Sequence, residues 1–352
     1  MKRSLSLRMP ASMGAVLMVV ACSADNNDRS VENVAEQASA AHTFCGNGRC
    51  DHGETCSTCS QDCGSCADAS TPDAGGSVCG STAAPPGHYQ HVVIFSFENR
   101  TWSNVGLGFS ASTMPYLHSL ASQCSFFSDW TETNASQNSL TQYIGETSGV
   151  NNTSTVNDCN PSPSCQSTDD NIFRQVRVAG ATARNYVEGA TTGCSASGNA
   201  AKHIPALYYF GTYTDGTGGH NDHDFCNTEV RPYSEFDVNN LPTYAFITPT
   251  LCNDGHDCGD SVVDGWASTN IQRVLDSAAY KAGTVGVFVW YDEDHPVPNL
   301  HIAPTSHKGN ITQTGVGTHA ALLKTIEDML GVPFMNQGQL PGATDLRSLL
   351  GM

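Results

Sequence analysis

Positive charge is scarce in this chain: 16 Lys and Arg stand against 34 Asp and Glu in 352 residues, for a formal net charge of −18 at pH 7. A protein that grips nucleic acid or an anionic surface does so with a basic face, and too few cations are present to build one. The chain also offers no membrane-spanning segment at its start. The apolar run there, Ala15 to Val20, falls far short of the roughly 20 residues that cross a bilayer. What is present is a globular composition with 39% hydrophobic residues, enough to bury the core of one large domain with appendages. Acidity of this degree favours solubility and supplies carboxylates that can hold cations.

Lys2, Arg3 and Arg8 ahead of the short apolar run read as an export signal over residues 1–21. Val19-Val20-Ala21-Cys22 resembles a bacterial lipobox, in which the cysteine is acylated and becomes the new N-terminus. The resemblance makes Cys22 a lipid anchor and implies an exported lipoprotein of the bacterial cell envelope, on the outer membrane or cell surface, or released from it. An ordinary secretory signal cut nearby is the alternative. Ser23 stands where some lipoproteins carry an inner-membrane retention aspartate. Loss of the signal's three basic residues takes the charge to −21.

Fifteen cysteines suit an oxidising compartment. Without Cys22 fourteen remain, six between Cys45 and Cys66 and eight from Cys79 onward, so each group can close on itself; their pairing is not specified. Residues 22–43, rich in Asn, Asp, Ser, Ala and Glu, read as a flexible tether. Residues 44–66 form a cysteine-rich module too short for a core of its own, which must be held by disulfides or metal. Export favours disulfides over zinc, and Asn47, Asp51, Glu54 and Asp62 add oxygen donors of the kind calcium takes. The module resembles the cysteine-rich repeats near the N-termini of many myxobacterial surface proteins, which implies a spacer or adhesive role. Residues 67–87, made of Ala, Asp, Ser, Thr, Pro and Gly, read as a linker, and 88–352 as the catalytic domain.

Within that domain, continuous apolar runs predict strands at His91 to Phe97, Leu241 to Ile247 and Val285 to Tyr291. Helical patterns fall at Met114 to Gln123, Ile172 to Ala179, Ile271 to Ala279 and Ala320 to Leu330. Apolar strands alternating with helices indicate an α/β fold whose mostly parallel sheet is covered on both faces. Ligands in such folds gather beyond the carboxyl ends of the strands. The first strand runs into Glu98-Asn99-Arg100 and the last into Asp292-Glu293-Asp294. A single strand-terminal acid is ordinarily a turn residue or helix cap. Carboxylates converging from two strands repel unless a proton or cation separates them, and oxygen donors of this kind point to a divalent metal.

His91-Val-Val-Ile-Phe-Ser-Phe-Glu-Asn-Arg-Thr resembles the opening strand of the phosphoesterase family that includes acid phosphatases and phosphatidylcholine-type phospholipases C, a branch of the alkaline phosphatase superfamily. Met114-Pro-Tyr-Leu-His-Ser-Leu-Ala121 resembles the helix that follows. Ser139-Leu-Thr-Gln-Tyr-Ile-Gly-Glu-Thr-Ser-Gly149 is similar to the family's Ser-Leu-Pro-Asn-Tyr nucleophile segment. Asn185-Tyr-Val-Glu-Gly189, Lys202-His-Ile-Pro-Ala206, the block from Leu241 to Asp257, Asp292-Glu293 and Thr318-His319 follow in the family's order, so the likeness runs from about Gln90 to Val332. It implies an alkaline-phosphatase-like three-layer α/β/α sandwich and a hydrolase of phosphate esters with a divalent metal, Mg, Mn, Ca or Zn.

By the same resemblance Glu98, Asn99, Ser139, Asp292 and Glu293 are metal ligands, and Ser139 is also the nucleophile. His203 and His319, and below them His256, are catalytic histidines that stabilise charge or carry a proton to the leaving group. Gln137 replaces a family histidine, and Thr141-Gln142 replaces Pro-Asn, which makes Thr141 a fallback nucleophile and places Gln142 at a substrate contact. The cluster His220, Asp222, His223 and Asp224 has no family counterpart and reads as a solvated loop. A sulfatase would need Cys/Ser-x-Pro-x-Arg, and Cys159-Asn-Pro-Ser-Pro163 lacks the arginine. The expected activity is an acid phosphatase-like phosphomonoesterase. A phospholipase C-type phosphodiesterase, or a surface binding lipoprotein without turnover, are the alternatives.

Overall fold

A computed structural model of the chain describes residues 77–101, 109–133, 138–189, 192–197, 199–310 and 315–352. The export signal, Cys22, the tether, the cysteine-rich module and Gln137 lie outside the described residues. The elements used below are, in chain order, β1 (His91–Phe97), α1 (Pro115–Gln123), β2 (Ser125–Phe126), α2 (Ser139–Ser148), α3 (Ile172–Val178), β3 (Ala183–Val187), β4 (Thr212–Asp215), β5 (Gly218–Asn221), α4 (Cys226–Glu229), β6 (Val230–Pro232), β7 (Tyr244–Thr248), α5 (Asp260–Leu275), α6 (Ala278–Lys281), β8 (Val285–Tyr291), β9 (Leu300–Ile302), β10 (Gly309–Asn310) and α7 (His319–Leu330).

Eight strands form one sheet in the order β10-β2-β9-β8-β1-β7-β3-β6, and β4 and β5 form a separate hairpin. The five strands from β8 to β6 run parallel, and only β9 runs against its neighbours β8 and β2. This is the mostly parallel sheet expected of buried Val- and Phe-rich runs. Its two faces are covered by different helices. On β1, Phe95 and Phe97 meet Trp266 of α5 edge-on at 6.1 and 5.9 Å, while the intervening Ser96 donates to Tyr143 of α2 on the other face. The alternation follows from the two-residue period of a strand, and it makes a three-layer α/β/α sandwich.

α7 buries nine of its side chains, starts on a Thr318 cap that accepts from Ala321 N, and stops at Gly331 with φ 67°. All ten residues of α2 are buried. Its sequence is mostly polar, with Leu140, Tyr143 and Ile144 as its large apolar residues, so it lacks the sustained apolar pattern by which periodicity marks a helix. The helix expected from Ile271 is the C-terminal part of α5, whose start at Asp260 lies in a polar stretch, and its continuation is the separate α6.

The eight cysteines from Cys79 onward pair among themselves as Cys79–Cys124, Cys159–Cys165, Cys194–Cys226 and Cys252–Cys258. The first of these corrects the expected linker boundary. Residues from Ser77 belong to the compact catalytic unit, with Cys79 buried and Gly80 N and Ser81 N donating to Ser306 O at 3.0 Å and Pro304 O at 2.8 Å. Among the described residues no helix is long and apolar enough to cross a membrane.

Candidate active site

β1 and β8 are neighbours in parallel register, with Phe97 beside Tyr291, so the residues that follow each strand emerge side by side at the carboxyl edge. Glu98 and Asp292 are fully buried there, Glu293 is partly buried, and single oxygens of the three lie within 4.8 Å of one another. Asn99 N donates to Asp292 Oδ1 at 3.4 Å, and Asn99 Nδ2 donates to Glu98 Oε2 at 3.2 Å. Asn99 adopts φ 56°, a left-handed conformation that Asn tolerates better than most residues and that turns the chain sharply at the strand end.

Ser139 opens α2 at the same edge. Its hydroxyl lies 3.2 Å from Glu98 Oε2 and 3.4 Å from Glu293 Oε1. Asn138 provides no side-chain cap; Leu140 N donates to Asp158 Oδ1 at 3.0 Å and Thr141 N to Asn138 O at 3.0 Å, and the helix start at Ser139 is an end that favours negative charge.

Burial raises the pKa of Glu98 well above the carboxylate range, and Asp292 and Asp254 nearby push in the same direction. Burial likewise raises Asp292 and Glu293, the latter also through Asp292. Buried carboxylates this close share protons or a cation. Asp292 Oδ2 is buried and receives no hydrogen bond. A hard divalent cation fits this donor set of carboxylates, a hydroxyl and an amide oxygen, and would satisfy that orphaned atom. A second group of three, Cys194, His223 and Cys226, is closed by the disulfide between its two cysteines.

The three histidines part ways in the structure. His319 is fully buried: Nδ1 accepts from Trp130 Nε1 at 3.1 Å and Trp290 Nε1 at 2.8 Å, so Nε2 carries the hydrogen and donates to Asp292 O at 2.7 Å. Burial pushes its pKa down to about 3. With both nitrogens committed, His319 is a positioning residue beneath Asp292, which corrects the expected catalytic role. Glu146 of α2 lies 3.6 Å from the same Nε2, fully buried, with its carboxyl raised by burial and then by Asp292.

His203 is also fully buried, its ring stacked on Tyr143 with centroids 5.2 Å apart. Its Nδ1 lies 3.2 Å from Asp254 Oδ2. Its Nε2 lies 3.1 Å from Glu98 Oε1, out of line for a hydrogen bond. Glu98 Oε1 accepts from Tyr143 OH at 2.7 Å. Tyr143, His203 and Asp254 therefore flank one oxygen of Glu98, and the other faces Ser139 and Asn99. Burial lowers the His203 pKa to about 3, helped by Lys202 and His256, and raises that of Asp254 to about 7. His203 belongs to the support of Glu98 rather than to an open phosphate pocket.

His256, ranked lowest by sequence, keeps 31% of its side chain exposed, with Nδ1 2.7 Å from Asp257 Oδ1 and Nε2 3.3 Å from Lys202 Nζ. It has the access to solvent that the other two lack. Its loop is firmly held. Cys252–Cys258 closes it, Glu188 accepts from Thr250 N, Asn253 Nδ2 and Trp266 Nε1, and Glu98 N donates to Asp254 O at 2.8 Å. Arg100 donates to Gly255 O and Cys258 O and pairs with Asp260 at 2.7 Å.

Other candidates fall away from the cluster. Thr141 is fully buried, with Oγ1 facing Thr155 Oγ1 at 3.4 Å, so it does not serve as a second nucleophile. Gln142 is buried in α2, away from a surface substrate contact. Of the His220 to Asp224 segment, expected to be solvated, Asp224 is exposed and the two histidines are partly so, but Asp222 is buried and bound by Arg174 and Arg177. Asp254, Tyr143 and Asp158 were missed by sequence reasoning. Asp254 and Tyr143 stand inside the motif blocks, but only their side-chain contacts reveal a role.

Residues 94–319 match the model of the Phosphoesterase family. The chain belongs to this family. As a family member it is a hydrolase of ester bonds. A protein of the alkaline phosphatase superfamily from Vibrio parahaemolyticus shares the fold, with TM-score 0.51 at 13% identity over 75% of this chain and 71% of that one. The lipoteichoic acid synthase LtaP from Listeria monocytogenes gives TM-score 0.41 at 12% identity over 73% of this chain and 75% of that one. No curated protein matches the chain in sequence.

Proposed function

We propose that the protein is a metal-dependent phosphate ester hydrolase, acid phosphatase-like, in which Ser139 is the nucleophile. The observation that carries this reading is the placement of the Ser139 hydroxyl at the start of α2, within 3.2 Å of Glu98 and 3.4 Å of Glu293. A divalent cation held by Glu98, Asp292 and Glu293, with Asn99 and Ser139, would offset charge on the phosphoryl oxygens and ease ionisation of the serine.

The protein's own residues supply the rest. Ser139 gives its proton to Glu293 or Glu98 as its oxygen attacks phosphorus, and the ester oxygen leaves with a proton from the partly buried pair of His256 and Lys202. Water then attacks the phosphoserine, giving its proton to the His256 and Lys202 pair, as the carboxyl returns the serine's proton to Ser139 and phosphate is released. The N-terminal end of α2, where Ser139 stands, favours negative charge on the phosphoryl oxygens. The chain is further proposed to act outside the cytoplasm, anchored through Cys22, with residues 44–66 as a spacer or adhesive module.

The test is release of p-nitrophenol from its phosphate ester by the metal-loaded protein. Chelator, Ser139→Ala and Asp292→Ala are each expected to abolish it. Unchanged turnover in both variants would sink the assignment.

A further inference from the structure

The charge around Ser139 is lopsided. Among the described residues, Lys202 is the one cation that approaches the site without being built into the scaffold. Arg100 is consumed by Asp260, Asn99 O, Gly255 O and Cys258 O, and Arg174 and Arg177 by Asp222. The internal stretches outside the described residues, 102–108, 134–137, 190–191, 198 and 311–314, contain no Lys or Arg in sequence. Lys202 is itself paired, its Nζ 3.2 Å from Asp158 Oδ2.

Asp158 has a second partner. Its Oδ1 accepts from Leu140 N at 3.0 Å, the amide next to Ser139 in the first turn of α2. One carboxylate thus bridges the two groups best suited to bind phosphoryl oxygens, a helix-start amide and the nearby ammonium. The backbone is shaped for this: Asp158 has φ 50° and is followed directly by the Cys159–Cys165 disulfide. Its side chain is 20% exposed, so the charge is partly screened but not dispersed.

We propose that Asp158 is a specificity-determining residue, a fixed negative charge that competes with the substrate for Leu140 N and Lys202 Nζ and so disfavours esters carrying two negative charges. This rests on the Ser139 site proposed above and narrows its substrate class. An ester with one negative charge, such as a phosphodiester, meets less repulsion at this position than a monoester dianion. A carboxylate whose only task was to cap α2 would not distinguish the two.

The experiment compares p-nitrophenyl phosphate with bis(p-nitrophenyl) phosphate at pH 8 on the full-length, metal-loaded protein. Asp158→Asn keeps an acceptor for Leu140 N and tolerates positive φ while removing the charge. It is expected to raise the monoester-to-diester ratio of kcat/KM about ten-fold or more, chiefly through KM. Lys202→Gln is expected to shift the ratio the other way. Calorimetric binding of inorganic phosphate is expected to tighten about ten-fold in Asp158→Asn. Asp158→Gly, which also suits the backbone, serves if the Asn variant does not fold.

A ratio unchanged in the Asn variant, or a loss shared equally by both esters, overturns the proposal. The Ser139 reading fails separately, if the wild type hydrolyses neither ester. In that event phosphate binding alone decides: tighter binding without the Asp158 charge upholds the competition, and unchanged binding overturns it.

Discussion

Tyr143→Phe isolates the support of the candidate metal ligand Glu98. The substitution removes one oxygen, which donates to Glu98 Oε1 at 2.7 Å and accepts from Ser96 Oγ at 2.9 Å, and leaves the ring stacked on His203. A hydrogen bond to an ionised, buried carboxylate contributes about 1.5–3 kcal/mol. That bond has its full strength only when Glu98 is ionised. Burial raises the Glu98 pKa well above its ordinary value, which favours the protonated carboxyl when no metal is bound, a weaker acceptor for the phenolic donor. A bound metal would favour the ionised form. The cost of the substitution therefore falls mainly on the metal-bound state, and metal affinity is expected to fall about 10- to 100-fold, or about 1.4–2.8 kcal/mol. Loss of the Ser96 partner costs the metal-free protein about 1 kcal/mol.

Titration calorimetry with Mg, Mn, Ca and Zn, together with thermal melts with and without the metal that binds, measures both quantities. Metal affinity equal to wild type would refute the support role of Tyr143. So would a stability loss of the same size in the metal-free and metal-loaded proteins.

Two further outcomes are expected. His319→Ala leaves two buried indole donors and the Asp292 carbonyl without a partner, at about 1–3 kcal/mol each; urea denaturation should show a loss of about 3 kcal/mol or more, and one below about 1 kcal/mol would argue against this role. The metal-free protein should also lose stability as pH rises from about 6.5 to 8. Asp254 has its pKa raised to about 7, with Glu98, Asp292 and Glu293 raised as well, so the folded state holds protons that the unfolded state has released, and that contribution fades as pH climbs. Below about pH 6.5 the lowered His203 and His319 act oppositely, because the unfolded histidines gain protons as pH falls. A melting temperature that rises across that upper window in chelator would contradict the raised carboxyl values.

The sequence by itself determined the strands that build the site. His91–Phe97 and Val285–Tyr291 have the bounds that their apolar runs predict, because a strand buried on both faces must be apolar throughout and stops where acids begin. From that alternation follow the sheet class and the convergence of Glu98 with Asp292 and Glu293 at one edge. The even count of cysteines from Cys79 onward likewise anticipated closure within the domain, though not the partners.

Only the tertiary structure decided what surrounds those acids. α2 escaped the periodic reading because most of its buried residues are polar, and Leu140, Tyr143 and Ile144 make an apolar stripe of little more than one turn. The histidines were ranked by motif, yet their roles depend on burial and on which nitrogens are already bonded, and neither is a local property of the chain. Trp130 and Trp290 commit His319, Asp254 and Tyr143 set His203 beside Glu98, and only His256 keeps access to solvent. Asp158 lies 18 residues from Leu140 and 44 from Lys202, and acquires meaning only when folding brings both to its two oxygens. Side-chain chemistry is written in the sequence, but the electrostatic partners that tune it come from distant segments and are set by packing.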